Sequence, residues 1–241
     1  MDALDAATRT ARAVSSVGSH FMLDGNTYKR ASELGFQGLD FYTTGRGGVL
    51  GDVDADVVAA AFTFFEPTHV RTQWELGRSV MPAAQAAKEF AACCATWADA
   101  HVPDDLDAER LSSLVDRVVA GGRPACATIF SAWRATLEVP TAPKAHAVHQ
   151  MNALRELRNG LHGAAVIAAG ITPLQALSVN TPAMAPLFGW SELAEVDGLA
   201  PRLEAAEAAT TQAMAHAYEA LDDRERDELV QLVDELHTAT S

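Results

Sequence analysis

The sequence contains little cysteine, and that scarcity limits how the chain can be held together. Only three cysteines occur in 241 residues, Cys93, Cys94 and Cys126, and the adjacent pair has no second pair at metal-ligand spacing. A chain of this length buries roughly three quarters of the surface that its unfolded form exposes, so it needs no disulfide bonds to fold. We therefore predict three buried, reduced thiols in a cytoplasmic protein.

Long apolar runs are also missing. No stretch approaches the roughly 20 apolar residues that span a bilayer. The N-terminus, which carries Asp2, Asp5, Arg9 and Arg12, lacks the order of a basic segment followed by an apolar one that marks a signal peptide. These absences predict neither export nor a membrane partner.

Basic residues are scarce as well. The chain has 18 lysines and arginines against 32 acidic residues, which gives a formal net charge of −14. Such a charge repels a polyanion unless the basic groups gather on one face, so we predict no tight binding of nucleic acid. Fifteen of the basic residues are arginines, which favour bidentate contacts with carboxylate or phosphate groups. A small anionic ligand is therefore compatible with the composition.

Helical periodicity is what the sequence does contain. Apolar residues recur at spacings of three and four, alanine is abundant, and no sustained period-two alternation occurs. We predict an all-α protein, a multi-helix bundle of seven to nine helices. Its N-terminal half would cover residues 1–140 and its C-terminal half residues 141–241, packed as one compact unit.

Glycine, proline and acidic residues predict the helix boundaries. Gly18 and Gly35 should end the first two helices, and Asp54 and Pro173 should begin later ones. Glycine-rich segments predict interruptions at 40–51 and, within a long helical region at 145–169, at Gly160 and Gly163. The remaining predicted helices are 82–101, 108–120, 124–137, 200–220 and 223–237.

One polar constellation lies on the predicted helix at 145–169. Arg155, Arg158 and His162 lie at i, i+3 and i+7 and so share a face, with Asn159 on the same side and Glu156 on its flank. These groups suit an anionic or planar polar ligand, with His162 as a candidate catalytic acid or base. The alternative is a structural ion-pair network that joins two helices.

A second constellation comprises Tyr42, Arg46, His69 and Arg71. Arg46 lies among four glycines within seven residues, which predicts that it is presented from a break and that this backbone packs closely against another element or a ligand. The alternative is a tight interhelical turn with a surface arginine. The segment Gly45–Gly48 matches neither the phosphate loop nor the dinucleotide-binding pattern.

Unpaired charge is costly inside apolar helices, so we expect the two constellations to meet. Arg46, Arg155, Arg158 and His162 would then line one pocket. His146 and His149 form an HxxH pair without a general base or a clear third ligand, so we predict no metal site and interpret the pair as a partly exposed helix face. Nothing in the sequence identifies a cofactor.

Several segments, in order along residues 20–190, resemble a known family. They are Gly35–Gly38 with Phe41 and Tyr42, Gly45–Gly51, Val57–Phe62 with Phe65–Pro67, Leu154–Glu156 with Arg158, Gly160 and His162, and Ala168–Ile171. The chain resembles an actinobacterial family of about this length that is classed as helix-turn-helix or MarR-like. That resemblance implies a ligand-responsive DNA-binding regulator.

The chain departs from this family in the region that would contact DNA. In the family, the tryptophan that matches Trp190 opens a winged-helix segment, whereas here only 191–200 separates it from the next long helix. A recognition helix with a wing needs roughly 30 residues or more. The family's arginines persist, while its charged residue near Asn159 and its histidine near Glu66 are altered. The resemblance thus implies retained ligand chemistry in a changed pocket.

Three functions follow as alternatives. The leading one is a binding protein for a small, anionic or aromatic molecule held by the arginines and His162. The second is the MarR-like DNA-binding regulator. The third is an enzyme in which His162 acts as acid or base while Arg46, Arg155 and Arg158 orient the substrate.

The last two predicted helices carry an apolar stripe that must be covered. We predict a homodimer through this stripe, with packing on the chain's own core as the alternative. The stripe consists of Leu199, Leu203, Ala206, Thr210, Ala213, Ala217, Leu221, Leu229, Leu232, Val233 and Leu236.

Overall fold

The computed structural model describes residues 1–241, and every regular element in it is helical. The first six helices are α1 (Ala3–His20), α2 (Gly25–Leu34), α3 (Asp40–Gly47), α4 (Ala55–Ala61), α5 (Pro67–Val80) and α6 (Ala83–His101). The other six are α7 (Ala108–Gly121), α8 (Thr128–Thr136), α9 (Pro143–Ala168), α10 (Pro173–Asn180), α11 (Ala200–Tyr218) and α12 (Asp223–Ala239). The all-α fold class is confirmed, but there are twelve α-helices rather than seven to nine.

Several helix ends follow the predicted local chemistry. The Asp54 side chain accepts a hydrogen bond from the Asp56 N–H and so caps α4, and Pro173 occupies the first turn of α10. Gly35 ends α2 with φ of 96°, a left-handed conformation that costs glycine little. These boundaries are set by residues within one turn of the helix end, which explains why the sequence predicts them.

The predicted stop at Gly18 and the predicted interruptions at Gly160 and Gly163 are wrong, because α1 and α9 run through them. These glycines provide space instead. A Cβ at Gly18 would lie 3.0 Å from the Met151 carbonyl oxygen, and one at Gly160 would lie 2.5 Å from the Cys126 carbonyl oxygen. Close approach of neighbouring backbone therefore explains these glycines better than helix termination does.

The segment 40–51 is also not a break. Residues Asp40–Gly47 form α3 and Gly48–Leu50 add a 3₁₀ turn. A Cβ at Gly45 would lie 2.7 Å from Phe90 Cβ, and one at Gly48 would collide with the Ala83 carbonyl oxygen of α6. The predicted close packing of this backbone is thus confirmed, whereas its predicted irregular conformation is corrected.

Helix α9 lies at the centre and packs against α1, α6, α7, α8 and α11, while α3 packs between α5 and α6. The main core comprises 54 buried residues and extends from Ala6 of α1 to Leu236 of α12. It includes side chains from both predicted halves. No single helix is long and apolar enough to span a membrane, and only the bent pair α9 and α10 meets such criteria jointly.

The apolar stripe on α11 and α12 is covered by the chain itself. Leu203, Thr210, Leu229 and Leu236 are buried, and the two helices pack on α1, α7 and α9. Packing on the protein's own core therefore accounts for the stripe. A homodimer remains a prediction, and the buried stripe on α11 and α12 provides no free surface for it.

Candidate functional site

A buried ion pair joins α3 to α9. Arg46 Nε and Nη2 donate to Glu156 Oε1 and Oε2 over 2.8 and 2.7 Å, and the two side chains are only 3% and 1% exposed. Arg155 Nη1 donates to Glu156 Oε1 over 2.7 Å. Parallel bonds of this kind fix the relative orientation of guanidinium and carboxylate planes. Arg46 therefore lies inside the bundle on a regular helix, not on a surface turn.

Both partners of this pair stay charged. Burial alone would lower the pKa of Arg46, but Glu156 raises it by more, and the net shift is upward. Burial alone would raise the pKa of Glu156, but the charges of Arg46 and Arg155 outweigh it and lower that pKa. Two guanidinium groups meet one carboxylate, so the cluster carries one excess positive charge in its interior.

Aromatic rings surround the Arg46 guanidinium. Its carbon lies 4.4 Å from the centroid of the Phe62 ring and 6.0 Å from that of Tyr42. Tyr42 stacks on Phe65 at 5.7 Å, and Phe65 stacks on Phe188 at 4.0 Å. The predicted residue Tyr42 thus lies beside Arg46. Phe188, in the segment after α10, is the last ring of this aromatic stack.

Arg158 and His162 form a separate cluster with α11. Arg158 pairs with Glu207, and His162 Nδ1 lies 3.6 Å from a Glu207 carboxylate oxygen and 3.1 Å from the Thr210 hydroxyl. Burial, and then the charge of Arg158, lower the pKa of His162, while Glu207 partly opposes them. The structure thus brings Arg46, Arg155 and Glu156 together and places Arg158 and His162 on Glu207 instead of in one common pocket.

His69 and Arg71 lie on α5. Arg71 is exposed and pairs with Asp56 of α4. His69 packs against Gly189, where a Cβ would collide with the histidine side chain, and its Nε2 is buried without a hydrogen-bond partner. Burial lowers the pKa of His69, with Glu66 opposing that shift. Neither side chain hydrogen-bonds to Glu156, whose partners are Arg46 and Arg155.

A cleft of about 460 Å³ opens beside the buried ion pair, between α4, the start of α8 and the middle of α9. We call it the Glu156 cleft. Its residues are Asp56, Val57, Ala60, Ala61, Thr63, Cys126, Ala127, Thr128, Ile129, Glu156, Asn159 and Gly160. Two predicted site residues, Glu156 and Asn159, therefore belong to its wall. A third, Arg71, is connected to it through Asp56.

Cys126 belongs to this cleft and contradicts the prediction of three buried thiols. Cys93 and Cys94 are buried as expected, but Cys126 is exposed. It lies in the loop before α8 with φ of 65°, the only residue other than glycine with positive φ. The predicted helix from 124 does not form until Thr128. The one feature of the sequence that could have indicated this loop is Gly160, because the absence of a side chain there lets the Cys126 backbone approach α9.

The two histidines of the HxxH pair differ in exposure: His146 is partly exposed, whereas His149 is buried. His146 Nε2 lies 2.9 Å from a carboxylate oxygen of Asp116 on α7. His149 is only 2% exposed and accepts a hydrogen bond from Trp133 Nε1. The sequence-based interpretation is therefore corrected for His149, because α6 and α8 cover this side of α9.

Helices α9 and α10 form a sharp corner. They are bent by 111° around the four-residue turn Ala169–Thr172, in which Gly170 has φ of 69°. Two helices at about 90–120° with a short turn are the geometry of a helix-turn-helix unit. Helix α10 carries no lysine or arginine, and the segment between Trp190 and α11 contains no strand that could form a wing.

Comparison with known proteins gives a family but no individual relative. A family model described as a helix-turn-helix family matches residues 7–241. No curated protein matches the chain, and no solved structure does either. The match covers nearly the whole chain, α9 and α10 included, and agrees with the resemblance noted from the sequence at the level of helix-turn-helix proteins. The chain belongs to the helix-turn-helix family.

Proposed function

We propose that the protein binds a small polar molecule in the Glu156 cleft. The observation that carries this proposal is the double role of Glu156, which contributes to the cleft wall and forms the buried ion pair with Arg46. A molecule in the cleft would therefore lie next to the residue that connects α3 to α9. Concave sites with apolar walls and a few convergent polar groups are the usual form of small-molecule sites.

The lining of the cleft defines the chemistry of its ligand. Alanine, valine and isoleucine side chains form the apolar part, while the Asn159 amide and the hydroxyls of Thr63 and Thr128 supply donors and acceptors. The first turn of α8 also borders the cleft, and its N-cap residue, Ala127, has no side chain to cap that turn. The only exposed charge in the lining is that of Asp56, which is paired with Arg71, so these features favour a planar, polar ligand with a hydrogen-bond-accepting edge.

Native mass spectrometry of protein purified from its host tests this proposal. We expect a bound molecule in the wild-type protein and much less of it in an Asn159→Ala variant, because Asn159 forms part of the cleft wall. Asn180→Ala, at the exposed end of α10, is the matched control and should retain the molecule. A protein without any bound molecule, or equal retention by both variants, would contradict the proposal.

A second candidate function is the ligand-responsive, MarR-like DNA-binding regulator. Membership in the helix-turn-helix family and the sharp corner between α9 and α10 favour it. The distribution of charge opposes it, since ten of the 18 lysines and arginines are paired with carboxylates within the chain and leave few free for phosphates.

Fluorescence anisotropy with duplex DNA from the host promoter region distinguishes the two candidates. At about 150 mM salt we expect no sequence-dependent binding, because the net charge of −14 repels the phosphate backbone. Sub-micromolar, sequence-dependent binding would favour the regulator. Ligand binding in the Glu156 cleft would then be its input.

A further inference from the structure

A second cleft, of about 370 Å³, lies roughly two helical turns before Glu156 along α9 and shares no residue with the Glu156 cleft. It opens between α6 and the end of α8, and we call it the His149 cleft. Its residues are Lys88, Ala91, Ala92, Ala95, Thr136, Leu137, Glu138, Pro140 and His149. The walls are mainly alanine, leucine and proline. His149 is the one member that is both polar and almost completely buried.

The hydrogen bond from Trp133 fixes the state of the His149 ring. An indole N–H can only donate, so Nε2 of His149, at 3.0 Å from Trp133 Nε1, must accept. Burial, assisted by His146 and opposed by Asp116, lowers the pKa of His149 to about 4. The ring is therefore neutral near pH 7, and its one proton lies on Nδ1.

This Nδ1–H group has no partner in the protein. Nδ1 is buried and makes no hydrogen bond. Asp116 of α7 accepts hydrogen bonds from His146 and from Gln150, and none from His149. A buried donor without an acceptor is destabilising, because the hydrogen bond that it makes with water in the unfolded chain is not replaced. The fold thus keeps an unsatisfied donor in a residue that forms part of a cleft wall.

We propose that the His149 cleft binds a small, uncharged and mainly apolar molecule that carries one hydrogen-bond acceptor, such as a ketone or amide carbonyl, and that this acceptor pairs with His149 Nδ1–H. The absence of a net charge follows from the rim, where Lys88 and Glu138 carry opposite charges. The apolar walls would penalise a desolvated carboxylate. This inference is independent of the function proposed for the Glu156 cleft.

Three probes of similar size separate these requirements: acetophenone, ethylbenzene and benzoate. Titration into ¹⁵N-histidine-labelled protein, followed by NMR, measures affinity and detects which histidine responds. We expect acetophenone to bind about tenfold more tightly than ethylbenzene and to shift the His149 side-chain resonances. Benzoate should bind more weakly than acetophenone. Equal affinities of acetophenone and ethylbenzene, preferred binding of benzoate, or no binding of any probe would overturn the proposal.

Two isosteric variants locate the interaction. In His149→Asn the amide nitrogen can take the place of Nδ1, whereas in His149→Gln the amide group reaches the place of Nε2 and faces Trp133. We expect His149→Asn to retain the preference for acetophenone and His149→Gln to lose it. Lys29→Gln, on the exposed face of α2 and outside both clefts, should bind acetophenone like the wild type. Thermal melts establish that each variant is folded, and loss of the preference in all three would refute a specific role of Nδ1–H.

Discussion

The buried pair of Arg46 and Glu156 makes the protein sensitive to a single substitution. In Glu156→Gln the side chain keeps its shape, but Arg46 and Arg155 lose the carboxylate that balances them inside the core. Removing one partner of a buried pair costs about 3–5 kcal/mol. We expect a loss of that size in the free energy of unfolding, measured by urea denaturation.

Asp52→Asn is the matched control. Asp52 also pairs with an arginine, Arg78, but its side chain is largely exposed. Solvent screens such pairs, so we expect a much smaller change in the free energy of unfolding. Equal losses in the two variants would mean that the Glu156 carboxylate has no special role in stability.

Helical geometry made the polar residues of α9 partly predictable from the sequence. The spacing of Arg155, Arg158 and His162 predicted a shared side of α9, because helix pitch fixes the directions of side chains on one element. The partners were not predictable. Arg46 is 110 residues from Glu156, and Glu207 is 49 residues from Arg158. Only tertiary packing brings such groups together, and no local pattern encodes it.

Glycines at helix crossings give a prediction at the level of elements. Gly160→Ala should destabilise the protein by about 1–3 kcal/mol, because the new methyl group would be forced against the backbone at Cys126 and Ala127. Gly25→Ala is the control. It lies at the start of α2 with open space around it, so alanine should leave stability equal or higher. Urea denaturation compares the two, and a stable Gly160→Ala variant would contradict close contact of α8 with α9.

Helix α3 is the element that the sequence did not predict, because its glycines indicated an interruption. Gly45 and Gly47 lie in α3, and Gly48 follows directly in the 3₁₀ turn. Each costs about 1 kcal/mol in helix propensity relative to alanine, which favoured the prediction of an irregular segment. Contacts with Phe90, Val58 and the backbone at Ala83 leave no room for side chains there. Tertiary packing therefore overrides the local preference, whereas Gly35, with no such contact, ends α2 as its propensity predicts.

At the scale of the whole molecule, amphipathic patterns indicated which faces are buried but not what covers them. The stripe on α11 and α12 was correctly identified as a face that needs cover. Its cover comes from α1, α7 and α9, which are distant in sequence. The same limitation applies to His149, since an HxxH pattern does not reveal that α6 and α8 enclose it.

The stability of the whole protein should fall as the pH is lowered from 7 to 5. Burial lowers the pKa values of His20, His69, His149 and His162. These histidines take up protons less readily in the folded protein than in the unfolded chain, where they become protonated below about pH 6.5. The unfolded state therefore binds more protons in this range, and the free energy of unfolding decreases with falling pH.

His149 provides the test, because burial lowers its pKa far below the ordinary histidine value, to about 4. Between its unfolded pKa, near 6.5, and pH 5, protonation of this one group in the unfolded chain should remove about 2 kcal/mol of stability. A His149→Gln variant cannot take up that proton, while all carboxylates and the other histidines remain. Urea denaturation at pH 7 and pH 5 should therefore show a smaller loss in the variant, by about 2 kcal/mol. Identical pH dependence of the two proteins would mean that His149 is protonated in the folded state as readily as in the unfolded one, and thus that its ring is hydrated rather than enclosed by Trp133, α6 and α8.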